Sequence, residues 1–147
     1  MAKNRKFWWG LLFAAYSLLM LWLLYGQRWG QNAGSLNLRP FDTLRCFVWV
    51  LQNRTDMESL RHAVVNLAGN VIMFVPLGFL VPGIWQKMQK FGWHFLTMVL
   101  SIVLIELLQL VTNLGSCDVD DLMLNLVGTT IGFLLWKAVS YISKKRK

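Results

Sequence analysis

Four carboxylates and five carboxamides recur at helical spacings in an otherwise apolar chain. Glu106 and Gln109 stand three apart, with Asn113 completing an i, i+3, i+7 series on one helix face. Asn66 and Asn70 form one i, i+4 pair and Asp121 and Asn125 another, with Asp118 and Asp120 just ahead of the second. Such a set could recognise a hydroxyl-rich or amide-rich headgroup. Alternatively, Glu106 with Asp118 or Asp121 could act as general acid and base in a membrane hydrolase or transferase, since a desolvated Glu is a competent proton donor near neutral pH. Each piece also has a structural explanation. Amides bond across helices as packing glue, and carboxylates favour helix N-termini as caps and dipole partners. The three aspartates could in principle hold Ca²⁺ or Mg²⁺, but no metal-loop pattern surrounds them, so no metal and no cofactor are expected. There is no phosphate-binding glycine loop, no His-Glu-x2-His, no paired Cys-x2-Cys and no nucleophile elbow. Cys46 and Cys117 are expected as free thiols, because a disulfide would need an oxidising face and matched geometry.

The elements that must carry these residues are set by hydropathy. Of 147 residues, 56% are hydrophobic and 15% charged, with a mean hydropathy of +0.46. That leaves too little polar surface to clothe a soluble domain. Four runs are long enough for a hydrocarbon core of about 30 Å, which takes roughly 20 helical residues: 7–25, 64–85, 93–112 and 122–139. Lipid cannot satisfy backbone groups, and barrel alternation is not visible, so the expectation is an all-α bundle of four transmembrane helices in a single domain. The first run follows a basic start but is too long for a signal-peptide core and lacks a small-residue cleavage site, so it reads as a retained span.

Charge orients the spans. Lys3, Arg5 and Lys6 precede the first, Lys87 and Lys90 follow the second, and Lys137 with the basic tail of 140–147 closes the chain. All three groups fall on one side, predicting both termini in the cytoplasm of a multi-pass cell-membrane protein. The connection 113–121 holds acids and no base, and belongs outside. The long first connection fits less neatly, its arginines at 28, 39, 45, 54 and 61 exceeding its acids by two. Within it Leu44, Phe47, Val48 and Leu51 form a helical stripe, with Trp49 as an aromatic anchor. A short interfacial helix is expected there. The basic tail adjoins a span, so it should meet anionic lipid rather than nucleic acid.

On this topology the polar residues share one depth. Glu106 lies six residues inside the third span, about 9 Å from its outer end, and the two asparagine-bearing spans enter from that same side. The inner half of the spans is nearly free of polar groups, which disfavours a transport path. Buried Glu106 needs a proton, several donors or a base, and Arg61 and His62 lie at the matching depth. Gly128 and Gly132 form a small-xxx-small ridge, and Pro76 should bend the second span.

Several of these residues also carry a resemblance. Asn66-x3-Asn70-x3-Phe74-x-Pro76-Leu77-Gly78-Phe79, then Glu106-x2-Gln109, then Asp118-x-Asp120-Asp121-x3-Asn125-x2-Gly128-x3-Gly132 resembles the VanZ-like family. Asn37-Leu38-x-Pro40-Phe41 is similar to that family's motif in the first external connection. Members commonly carry an Arg shortly before the acidic cluster, whereas Leu114, Gly115, Ser116 and Cys117 here include no base. Any role for a fixed cation would pass to Arg61 or an arginine of the first connection. The resemblance implies an envelope protein linked to low-level resistance to teicoplanin and related lipoglycopeptides in Gram-positive bacteria. The expected ligand is therefore a membrane lipid, a lipid-linked envelope precursor or the lipoglycopeptide itself, held by Asn66, Asn70, Glu106, Gln109, Asp118, Asp120, Asp121 and Asn125.

Overall fold

The computed structural model describes residues 2–25, 36–53, 57–115 and 117–146, with side chains from Lys6 onward in the first segment. The charges expected at Arg28, Arg54 and Asp56, the side chains of Lys3 and Arg5, Ser116, and the last tail residue lie outside the described residues. Helices are α1 (Ala2–Tyr25), α2 (Asp42–Gln52), α3 (Met57–Ile84), α4 (Phe91–Thr112) and α5 (Val119–Lys145), with a 3-10 turn at Gln86–Gln89. Four of them are long and apolar enough to cross a membrane, as the all-α reading expects. The departure from pure helix is a two-residue parallel bridge of β1 (Leu36–Asn37) and β2 (Cys117–Asp118), pairing Leu36 with Cys117 and Asn37 with Asp118.

α3 starts seven residues before its apolar run. Its 28 residues span about 42 Å at 1.5 Å per residue, so its first turns project beyond a 30 Å hydrocarbon layer. Apolarity marks only the part lipid must surround. The helix continues through Pro76 and Pro82. Pro76 has no N–H for the Ile72 carbonyl, and beside that gap the Tyr16 hydroxyl donates to the Met73 carbonyl. Tyr25 likewise donates to Ile105 O at 3.3 Å, and the two bonds tie α1 to α3 and α4.

The tightest seam joins α3 and α5, which run parallel. A Cβ on Gly78 would strike the Thr129 carbonyl, one on Gly128 the Val71 carbonyl, and one on Gly132 the Val75 carbonyl. The Gly128/Gly132 ridge is thus a backbone-to-backbone contact, the geometry that favours helix association where lipid removes the hydrophobic drive. Met20, Phe74 and Ile102 form the central core, with Tyr16, Leu77 and Leu126 packed around it.

α2 packs on α3. Val50 is buried and Phe47 half-buried, while Leu44, Val48, Trp49 and Leu51 remain uncovered. Two residues of the expected apolar stripe, Val48 and Leu51, therefore face away from the bundle, as they would on a helix lying in a lipid interface.

The candidate site is an acidic network at one end of the bundle

At the end of α4, Asn113 adopts a left-handed conformation (φ 55°), and its N–H bonds the Gln109 and Leu110 carbonyls. The Leu114 N–H returns to Gln109 O at 3.1 Å. This closure turns the chain back over its own helix, so the Asp118 N–H reaches Glu106 Oε2 at 3.3 Å. Asn113, placed by spacing on the Glu106 face, is instead an exposed C-cap.

Asp118 is the hub. Its Oδ1 accepts the Asp120 N–H at 2.8 Å, capping α5, and its Oδ2 accepts from Asn37 Nδ2 at 3.0 Å. Asp120, only 4% exposed, reaches across the bundle end to a different helix. Its two oxygens accept the Phe41 N–H at 2.6 Å and the Thr43 N–H at 2.7 Å. Phe41 holds φ 67° and offers no capping side chain to α2. Asp120 thus caps α2 from α5, a role no spacing rule could assign. On α3, Asn70 Nδ2 donates to Asp121 Oδ1.

The bridge β1–β2 and these bonds bring together Asn70, Glu106, Asp118, Asp120 and Asp121. Gln109 and Asn125, one turn along α4 and α5, are 3% exposed, and Asn125 Oδ1 has no hydrogen-bond partner among the described residues. Asn66 does not join them. It lies exposed on α3, because the four-residue step to Asn70 turns the helix about 40° past a full circle, enough to move one amide from seam to outside. Arg61 and His62, expected beside Glu106, are also exposed; His62 Nε2 instead lies 3.7 Å from Glu58. The partner seen for Glu106 is a backbone amide, a donor that sequence-level charge pairing overlooks.

Asp118 and Asp120 each spend both oxygens on described donors, and Glu106 and Asp121 have further contacts. No carboxylate of the network is an unengaged base. Cys117, in the middle of it, has its thiol pKa pushed up by burial, and further by the charges of Glu106 and Asp118, which disfavours a thiolate nucleophile. Both cysteines are free. Among the described residues no group of His, Cys, Asp and Glu is arranged to hold a metal. Beside the network a groove of about 160 Å³ opens between α2, α3 and α5, lined by Leu44, Leu67, Met123, Leu124 and Val127 with Asp120 in its wall.

Two buried polar residues escaped the sequence reading, Thr129 in the α3–α5 seam and His94. His94, in the first turn of α4 at the opposite end, is 1% exposed and packs on Phe133 with ring centres 4.8 Å apart, near the Thr129 backbone. Nothing in its spacing separates it from an interfacial histidine.

Fold and site together define a four-span membrane protein with a hydrogen-bonded acidic cluster at one bundle end. The chain matches the VanZ/LLP1 family model over residues 8–140 and belongs to that family. It is thereby a VanZ-like multi-pass membrane protein of a group linked to glycopeptide resistance. Comparisons with curated proteins and with solved structures returned no match.

Proposed function

We propose that the acidic end faces the outside of the cell membrane and binds the polar head of an amphiphilic envelope component, a lipid, a lipid-linked wall precursor or a lipoglycopeptide, lowering susceptibility to teicoplanin-type antibiotics. The observation that carries this reading is the pairing of two unlike surfaces: buried polar groups with an unpaired acceptor at Asn125, and the apolar groove beside them. Amides and carboxylates suit a hydroxyl-rich or amide-rich head, and the groove suits the start of an acyl chain. Family membership supports the link to the envelope. Both termini lie in the cytoplasm in this arrangement, because the basic segments sit at the other end.

Two variants in a susceptible Gram-positive host test it, with teicoplanin and lipopeptide inhibitory concentrations read against protein level. Wild-type expression should raise the teicoplanin concentration needed to inhibit growth. Glu106→Gln keeps shape but not charge and should abolish that rise while protein level holds; Asn125→Leu should reduce it. A wild-type chain that leaves susceptibility unchanged, or a Glu106→Gln chain that protects fully, overturns the reading.

A further inference from the structure

We propose that a second cavity, at the basic end of the bundle, is a binding site for an anionic phospholipid of the adjoining leaflet, separate from the acidic-end site and independent of the function proposed there. The cavity measures about 410 Å³, within the range of small-ligand pockets. It lies between α1, α3, the 3-10 turn and α5. Trp9 stacks on Phe79 with ring centres 5.6 Å apart and planes 29° apart. The same indole lies over Gly83, where a Cβ would come within 2.6 Å of the ring. Glycine at that position is what lets the aromatic wall form.

On the far side, α5 supplies Trp136, Ser140, Ser143 and Lys144 to the lining, at steps of four, seven and eight that keep them on one helix face. From Trp136 to Lys144 the helix rises about 12 Å. The lining therefore grades from indole rings through two hydroxyls to an ammonium, the order in which a phospholipid presents acyl chain, glycerol ester and phosphate. Among the described residues no hydrogen bond engages the Ser140 or Ser143 hydroxyl, so both can donate to phosphate oxygens. Gln89 is held to Pro82 O at 3.3 Å and closes the rim.

Charge selects the headgroup. All seven acids of the chain lie at positions 42–58, 106 and 118–121, none in the segments that line this cavity. Lys6, Lys87, Lys90, Lys137, Lys145 and Arg146 flank those segments. A choline or ethanolamine head would bring a cation into this field and meet no carboxylate, whereas a phosphatidylglycerol head brings only the anion. A soluble phosphate would leave the Trp9, Phe79 and Trp136 walls uncovered.

Native mass spectrometry of the purified full chain in detergent, titrated with phosphatidylglycerol and phosphatidylcholine of identical acyl chains, tests the assignment. Phosphatidylglycerol should bind more tightly. Lys144→Gln, an exposed position whose change spares the fold, should weaken it about fivefold, and Lys144→Arg should restore it. Ser140→Phe, which fills the cavity, should abolish retention in protein that remains monodisperse. The double variant Lys87→Gln/Lys90→Gln removes more charge outside the cavity and should weaken binding less than Lys144→Gln does. Equal retention of the two lipids, or a loss in the Lys87/Lys90 variant matching that of Lys144→Gln, overturns the site. Saturation by glycerol 1-phosphate alone overturns the lipid as its occupant. None of these readouts depends on antibiotic susceptibility, so failure here leaves the acidic-end reading untouched.

Discussion

The two ends of this bundle treat charge in opposite ways. At the acidic end carboxylates turn inward and are consumed by backbone amides: Asp120 by Phe41 and Thr43, Asp118 by Asp120, Glu106 by Asp118. At the basic end Lys87, Lys90, Lys144 and Lys145 stay exposed, and aromatic rings pack against one another inside. A short carboxylate can reach only what lies within a few ångströms, so it serves as a local clamp on helix ends. A lysine carries its charge on a long stem and can remain in the headgroup layer. One end is therefore built by its charges, and the other is only decorated by them.

That contrast can be broken by substitution. The largest effect should come from the seam connecting the ends. Gly132→Val places a side chain against the Val75 carbonyl, with backbone on both sides unable to yield, and should cost about 3 kcal/mol or more. The detergent-solubilised protein should show a large fall in melting temperature. Gly69→Ala, in open space, should be neutral or stabilising by up to ~1 kcal/mol. If both behave alike, close helix approach does not hold the bundle.

Next comes the clamp. Asp120→Ala strands two backbone donors at the start of α2 and should cost about 2 kcal/mol, seen as faster amide exchange at Phe41 and Thr43. Asp120→Asn, keeping one acceptor, should lose about half as much. Lys90→Ala at the other end should stay within ~0.5 kcal/mol. A lysine loss equal to the aspartate loss would erase the distinction between the ends.

The smallest effect concerns Cys117. A raised thiol pKa means less thiolate at any given pH, so in a Cys46→Ser background its alkylation should set in at higher pH than for an ordinary thiol. Glu106→Gln removes one of the two neighbouring carboxylates that raise it, so the profile should move to lower pH. A profile insensitive to Glu106 would separate that carboxylate from the cluster.

Much of the architecture was readable in advance because it depends on composition along one line. Apolar length specified four spans, and a rise of ~1.5 Å per residue put Asn70 and Glu106 at one depth, with Asp121 in the same outer half. Gly128 and Gly132 announced a close approach without naming the partner. Helix boundaries read less well: α3 begins at Met57, where polar residues leave the lipid but the backbone keeps its hydrogen bonds.

What the chain's order of residues determined by itself was insertion in a membrane, the number of spans and the layer in which polar groups gather, because solvation by lipid acts on each segment separately. Only the tertiary structure decided that Asn70 turns inward while Asn66 stays out, that Asp120 caps a helix roughly eighty positions away, and that Glu106 answers to an amide rather than to Arg61. Those outcomes depend on helix rotation and on which backbone donors are left over, and both are settled when helices meet.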